Sequence, residues 1–126
     1  MSNVLLIEPD IAIARTYVQA LQHAGCMVTH VTGAQEAIDA ADRQKPDLVV
    51  LEFQLAIHDG IEFLHEFRSH SEWAATPVIA NTNLSPQALQ SVKGALAGDL
   101  GVTSVLYKPQ TSLQQLISAV RREVVV

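Results

Sequence analysis

The chain has 126 residues, of which 48% are hydrophobic and 17% charged. That is enough for one folded domain with a real core, and it excludes disorder. A net charge of -5 lacks the basic balance that a phosphate-backbone binder needs, so no direct nucleic-acid binding is expected. No apolar run nears the ~18 residues of a membrane span, and "MSNVLLIEPD" has no basic leader region, because Glu8 and Asp10 interrupt its apolar run early.

The first apolar run is "VLLI" from Val4, followed by a helical stripe of Ile13, Tyr17 and Leu21 that Gly25 closes as a C-terminal cap. Cys26 is the one cysteine and cannot form an internal disulfide. It reads as a small buried thiol and fits a reducing cytoplasm, the expected location. "MVTHV" from Met27 is the second run. Thr32 with Gln35 fits a capping box for a helix carrying Ala34, Ala37, Ile38 and Ala41. "LVVL" from Leu48 is the third run, and Ile61, Leu64 and Phe67 mark the helix after it.

"PVIA" from Pro77 is the fourth run. Ser85 then reads as an N-cap with Pro86 at the first helical position, opening a fourth helix with Leu89, Val92 and Leu96 on one face and Gly101 beyond its end. "VTSVL" from Val102 is the last run. Thr111 with Gln114 fits a capping box for a helix carrying Leu113, Leu116, Ile117 and Val120. Three of the five runs are almost continuous in Val, Ile and Leu, as strands buried on both faces of a parallel sheet are. Nothing repeats and no linker divides the chain. The pattern predicts a single α/β domain over residues 1–126, with a doubly wound, five-stranded parallel sheet, helices on both faces and right-handed crossovers.

In such sheets the functional site lies beyond the carboxyl ends of the strands. The rule selects Glu8, Pro9 and Asp10 after the first strand, and Glu52 with Gln54 after the third. It selects Asn81, Thr82 and Asn83 at the fourth, and Lys108 and Pro109 at the fifth. Acids, a hydroxyl and a lysine from four strands therefore converge on one edge. Glu52 is conspicuous, a lone carboxylate at the tip of an otherwise apolar run.

Other chemistries find little support. His65 and His70 in "HEFRSH" are five apart, one too many for a zinc-binding helical pair, and His23, His30 and His58 lie on different elements. There is no phosphate-binding glycine loop and no Gly-x-Ser-x-Gly elbow, so no catalytic residue is expected.

Through "PDLVVLEFQLAIHDG", "TPVIANTN" and "YKPQ", in that order and spacing, the chain resembles the receiver domain of bacterial two-component response regulators over roughly residues 3–122. The resemblance implies that two acids after the first strand and an Asp ending the third bind Mg²⁺. That Asp takes a phosphoryl group from a histidine kinase. A hydroxyl and a lysine bind the phosphoryl oxygens, and a backbone carbonyl two residues beyond the Asp completes the metal site. Carried over, Glu8 matches the first acid, Glu52 the acceptor, Gln54 the carbonyl donor, Thr82 the hydroxyl and Lys108 the lysine. Pro9 replaces the second acid, Glu52 replaces Asp, and Val105 replaces the aromatic residue often found three positions before the lysine.

These departures imply a pseudo-receiver that acts through protein–protein recognition. Its implied partner is a histidine kinase or output protein, with a homodimer through the face from the fourth to the fifth helix as one option. No cofactor is expected, and Mg²⁺ is expected to bind weakly if at all, at a residual site of Glu8, Glu52 and Gln54. Asp10 reads either as a substitute metal ligand or as a helix N-cap. Two alternatives stay open: a receiver that still binds Mg²⁺ and accepts phosphate at Glu52, and a flavodoxin-like binder of a small molecule. Thr82 and Lys108 stand 26 residues apart, a longer span than the family usually has, with Gly94 and Gly98 inside it.

Overall fold

The computed structural model describes residues 1–125; Val126, the last residue of the expected domain, lies outside the described residues. Five parallel strands form one sheet in the order β2-β1-β3-β4-β5. They are β1 (Asn3–Ile7), β2 (Met27–Val31), β3 (Leu48–Leu51), β4 (Val78–Thr82) and β5 (Val102–Tyr107). The helices between and after them are α1 (Ile11–His23), α2 (Ala34–Arg43), α3 (Gly60–Ser69), α4 (Lys93–Ala97) and α5 (Leu113–Glu123). The three central strands are buried along their whole length, which is why their sequences are nearly all aliphatic.

Alternate strand residues feed two cores. Leu5, Ile7, Val49, Leu51, Val78 and Ala80 face α2, α3 and the α4 region. Val4, Leu6, Leu48, Val50 and Ile79 face α1 and α5, where Cys26 is buried with them. In the first core Phe63, Phe67 and Trp73 stack in succession, with ring centroids 5.3 and 4.9 Å apart. Among the described residues no helix is long and apolar enough to cross a membrane.

Three local expectations need correction. The fourth helix does not run from Ser85. The Ser85 hydroxyl does accept the Ala88 N–H at 3.2 Å, but the chain continues through turns and a 3-10 segment, Gln90–Val92, before the five residues of α4. Gly94 lies inside α4, and Gly98 and Gly101 follow it, so the glycines limit the helix at its end and do not explain the stretch from Ser85 to Val92. The Thr32 capping box is absent: Gly33 is the N-cap of α2 and makes no side-chain cap bond. The Thr111 box forms one residue later, between Ser112 and Gln115, because the Thr111 hydroxyl donates to the Tyr107 carbonyl at 2.7 Å.

Two glycines are dictated by close approach. At Gly101, with φ of +63°, a side chain would also meet the Arg68 guanidinium at 2.9 Å. Arg68 sits there because it donates to the carbonyls of Leu100, Gly101 and Trp73, clamping the end of α3 to the turn before β5. At Gly60, a Cβ would stand 2.8 Å from the Phe53 Cα and 3.0 Å from the Glu52 carbonyl oxygen. The backbone there cannot yield easily, since the Gly60 N–H donates to Phe53 O at 2.8 Å. Gly60→Ala should therefore cost about 1–3 kcal/mol in chemical denaturation. It should also move the amide resonances of Glu52 and Phe53; an unchanged midpoint would show that the loop has room to spare.

Candidate functional site

Strand register assembles the site. Ile7 pairs with Leu51, so the next residues, Glu8 and Glu52, emerge side by side. Leu51 pairs with Ala80, which brings Thr82 just beyond the level of Glu52. Thr82 pairs with Tyr107, so Lys108 leaves β5 beside it. Backbone bonds hold the acids in place: Glu52 N–H donates to Ile7 O and Glu8 N–H to Val31 O, both at 3.0 Å. A ring nitrogen of His30 lies 2.8 Å from the Glu8 carbonyl oxygen and supports it from β2.

The side chains interlock. Lys108 Nζ donates to Glu8 Oε1 at 2.6 Å and to Glu52 Oε1 at 2.9 Å, and all three side chains are nearly buried, 9%, 3% and 2% exposed. Glu52 Oε1 also accepts the Asn83 N–H at 3.0 Å. Glu52 Oε2 accepts the Gln54 N–H at 3.1 Å and the Thr82 hydroxyl in a short hydrogen bond. Each carboxylate oxygen thus accepts two hydrogen bonds, which fills its capacity. The Thr82 oxygen in turn accepts the Leu84 N–H at 3.1 Å.

Burial works against the charge on Glu52. The hydrogen bonds from Thr82, Lys108, Gln54 and Asn83 outweigh it and hold the pKa below the ordinary 4.5. Burial likewise opposes the charge on Lys108, but its bonds to Glu8 and Glu52 and their negative charges hold its pKa above the ordinary 10.5.

The residues singled out in the sequence therefore divide. Glu8, Glu52, Thr82 and Lys108 meet. Gln54 meets them through its backbone N–H, while its side chain is exposed. Pro9 is exposed. Asp10 takes the capping role: its carboxylate accepts the N–H groups of Ala12 and Ile13 at 3.0 and 3.1 Å, and its own N–H donates to Glu8 Oε2 at 3.0 Å. Val105 is exposed, on the β5 edge. Asn83, one of the strand-end positions that the sequence singles out, takes part through its backbone N–H, a role that leaves no side-chain signature. His30, whose ring supports the Glu8 carbonyl from β2, was not foreseen as part of the site. Among the described residues no three of His, Cys, Asp or Glu gather as a metal-binding group.

Residues 4–121 match the family model of the response regulator receiver domain. This chain belongs to that family. Receiver domains are regulatory phosphoacceptor modules and not enzymes in the usual sense. The chain is 38% identical over 109 residues to the KDP operon transcriptional regulatory protein KdpE of Escherichia coli K12, covering 86% of this chain and 45% of that protein. It is 30% identical over 119 residues to the transcriptional regulatory protein PdtaR of Mycobacterium tuberculosis, covering 94% of this chain and 54% of that protein. The chain thus spans about half the length of these relatives or less. Among solved structures, it superposes on the Vibrio cholerae chemotaxis response regulator CheY4 with a TM-score of 0.85 at 26% identity, over 98% of this chain and 99% of that one. The receiver domain of the Pseudomonas aeruginosa sensor histidine kinase PA1611, solved with magnesium in its active-site cleft, matches with a TM-score of 0.79 at 25% identity, over 97% and 96% of the two chains.

Breaking the buried triad should be costly even where forming it adds little stability. Removing one partner of a buried ion pair costs about 3–5 kcal/mol, so Lys108→Met should lower stability by that much at neutral pH. In the parent, the contribution of Glu52 is fully present above pH 4.5 and is lost as pH falls through the depressed folded value. That of Lys108 is present below pH 10.5 and is lost as pH rises through the raised folded value. In Lys108→Met, Glu52 lies beside a second buried carboxylate with no ammonium, so a proton should stabilise the fold. The denaturation midpoint of the variant should rise from about pH 7 to about pH 5, opposite to the parent. Parallel pH profiles for the two proteins would contradict a buried, charged triad.

Proposed function

We propose that this receiver is a pseudo-receiver. Its own Glu52 carboxylate fills the place of a phosphoryl group, and it signals through protein–protein recognition without accepting phosphate in the usual way. The observation that carries the reading is the full occupancy of Glu52. Thr82 and Lys108, which in the family bind phosphoryl oxygens, already hold this carboxylate, together with the N–H groups of Gln54 and Asn83. Glutamate reaches ~1.3 Å further than aspartate, a displacement of the size that can cost ~10²-fold in rate when it moves a reacting atom. Here the extra reach delivers the carboxylate to the donors.

The mimicry is one of position and partial charge. A carboxylate carries one negative charge and two oxygens, against about two charges and three oxygens for a phosphoryl group. As a nucleophile Glu52 is poorly placed, since each acceptor position that would attack phosphorus is engaged. The donor set also does not fit Mg²⁺, which wants near-octahedral oxygen ligands at ~2.0–2.1 Å. The Lys108 ammonium lies between the two carboxylates, and Pro9 supplies no side-chain oxygen. The cation of this site is Lys108, and the proposed function uses no metal.

The partner in this reading is a signalling protein, either a histidine kinase or an output protein. The names of KdpE and PdtaR point to output in gene regulation, reached through parts those proteins have beyond the region matched here. Incubation with a small phosphodonor and Mg²⁺, followed by intact-mass measurement, tests the reading. Parent protein and Glu52→Gln should both stay unmodified. Pro9→Asp with Glu52→Asp should gain about 80 Da as an acid-stable, base-labile acyl phosphate, because Thr82 and Lys108 already stand where the phosphoryl group needs them. A gain of that mass in the parent, lost in Glu52→Gln, would instead establish an active receiver that uses glutamate.

A further inference from the structure

The two helical faces of the sheet carry opposite charge. On one, α1 and α5 border an open groove of about 1090 Å³. Ala20, Ala24, Leu106, Leu113 and Ile117 give it an apolar lining, and the exposed His23, Arg121 and Arg122 stand beside them. Among the described residues no Asp or Glu lines this groove, although the chain has thirteen acids and a net charge of -5. On the opposite face, α2 exposes Glu36, Asp39 and Asp42 at three-residue spacing, and α3 exposes Glu62 and Glu66 beside it. Residues three apart share a helix face, so the α2 acids form a stripe. At ~1.5 Å per residue α2 is ~15 Å long and α5 ~16 Å, so one helix can lie along the other.

We propose that a second copy of this chain docks at the α1–α5 groove, laying its acidic α2 against Arg121, Arg122 and His23. Both halves of this complementarity lie on the same molecule. The contact joins opposite faces, so a docked pair keeps one free groove and one free acidic ridge, and assembly grows head to tail. It differs from a closed homodimer through α4 and α5, which would use the same patch on both copies and leave no free end. Exposed ion pairs contribute little individually and are screened by salt, so the association is weak and salt-dependent. The site around Glu52 lies at the carboxyl edge of the sheet and is not part of the contact. The inference therefore stands apart from the pseudo-receiver reading.

Sedimentation velocity of the full chain over a concentration series tests it, at about 50 mM and about 500 mM salt. At low salt the average mass should rise with concentration past that of a dimer, and at high salt it should fall to that of the monomer. Arg121→Glu with Arg122→Glu, and separately Asp39→Lys with Asp42→Lys, should each weaken association about tenfold or more. All four residues are exposed, and thermal melts by circular dichroism would confirm that the variants stay folded. Mixing the two variants should restore association, because the acidic α2 of one meets the intact groove of the other. A parent chain that remains monomeric at ~1 mM in low salt would overturn the proposal. So would association that survives either charge reversal, that stops at a closed dimer, or that appears only with a foreign acidic helix.

Discussion

The structure turns on one ammonium between two buried carboxylates. Lys108 joins Glu8 and Glu52, and so ties the ends of β5, β1 and β3 at the edge where the strands stop. Taking three charges out of water is costly, and replacing a buried ionic triad by apolar residues of similar size is often neutral or stabilising. The triad is therefore a poor device for stability alone. In the proposed reading, its presence, with every acceptor position of Glu52 filled, serves to hold one fixed negative charge. The apolar strand leading to Glu52 serves that end, because it fixes the backbone so that four donors converge on a single carboxylate.

That carboxylate also reaches the segment after β4. Glu52 accepts from Thr82 and from the Asn83 N–H, and Thr82 accepts from the Leu84 N–H. Glu52 thus holds Thr82 and Asn83 directly, and Leu84 through Thr82. Leu84 in turn borders a groove between the α4 region and β5, about 360 Å³ in volume, that Leu89, Val105 and Tyr107 also line. The segment beyond it is wound only as turns, a 3-10 stretch and a five-residue helix. The segment is thus anchored to the site at one end and loosely wound at the other. In the proposed pseudo-receiver reading, glutamate makes that anchor permanent.

Much of the fold was legible in the sequence because it is local. Runs such as "LVVL", short and rich in β-branched residues, read as strands buried on both sides, and the spacing of Ile13, Tyr17 and Leu21 reads as one face of a helix. The four side chains of the site could be assembled from one architectural rule about strand ends. What could not be read depends on backbone and register. The amide donors of Gln54 and Asn83 belong to the main chain and leave no trace in residue type. The capping boxes slipped because Thr111 had a better partner in the Tyr107 carbonyl, and because Gly33, not Thr32, opens α2. The fourth helix shrank although Leu89, Val92 and Leu96 keep helical spacing; Gly94 lies inside the helix that remains, and no glycine between Ser85 and Val92 explains the break. A periodic apolar pattern can outlast the helix it usually marks.

The account stands on Glu52 being ionised and held by its four donors. A carbon-13 titration of the Glu52 side-chain carboxyl measures this directly. The account predicts a midpoint below the ordinary 4.5, shifted upward in Thr82→Val and further upward in Lys108→Met as donors are removed. A midpoint at or above the ordinary value in the parent chain, unmoved by either substitution, would contradict it. It would mean that burial prevails, and that the carboxyl at the tip of β3 is not the fixed charge on which this reading depends.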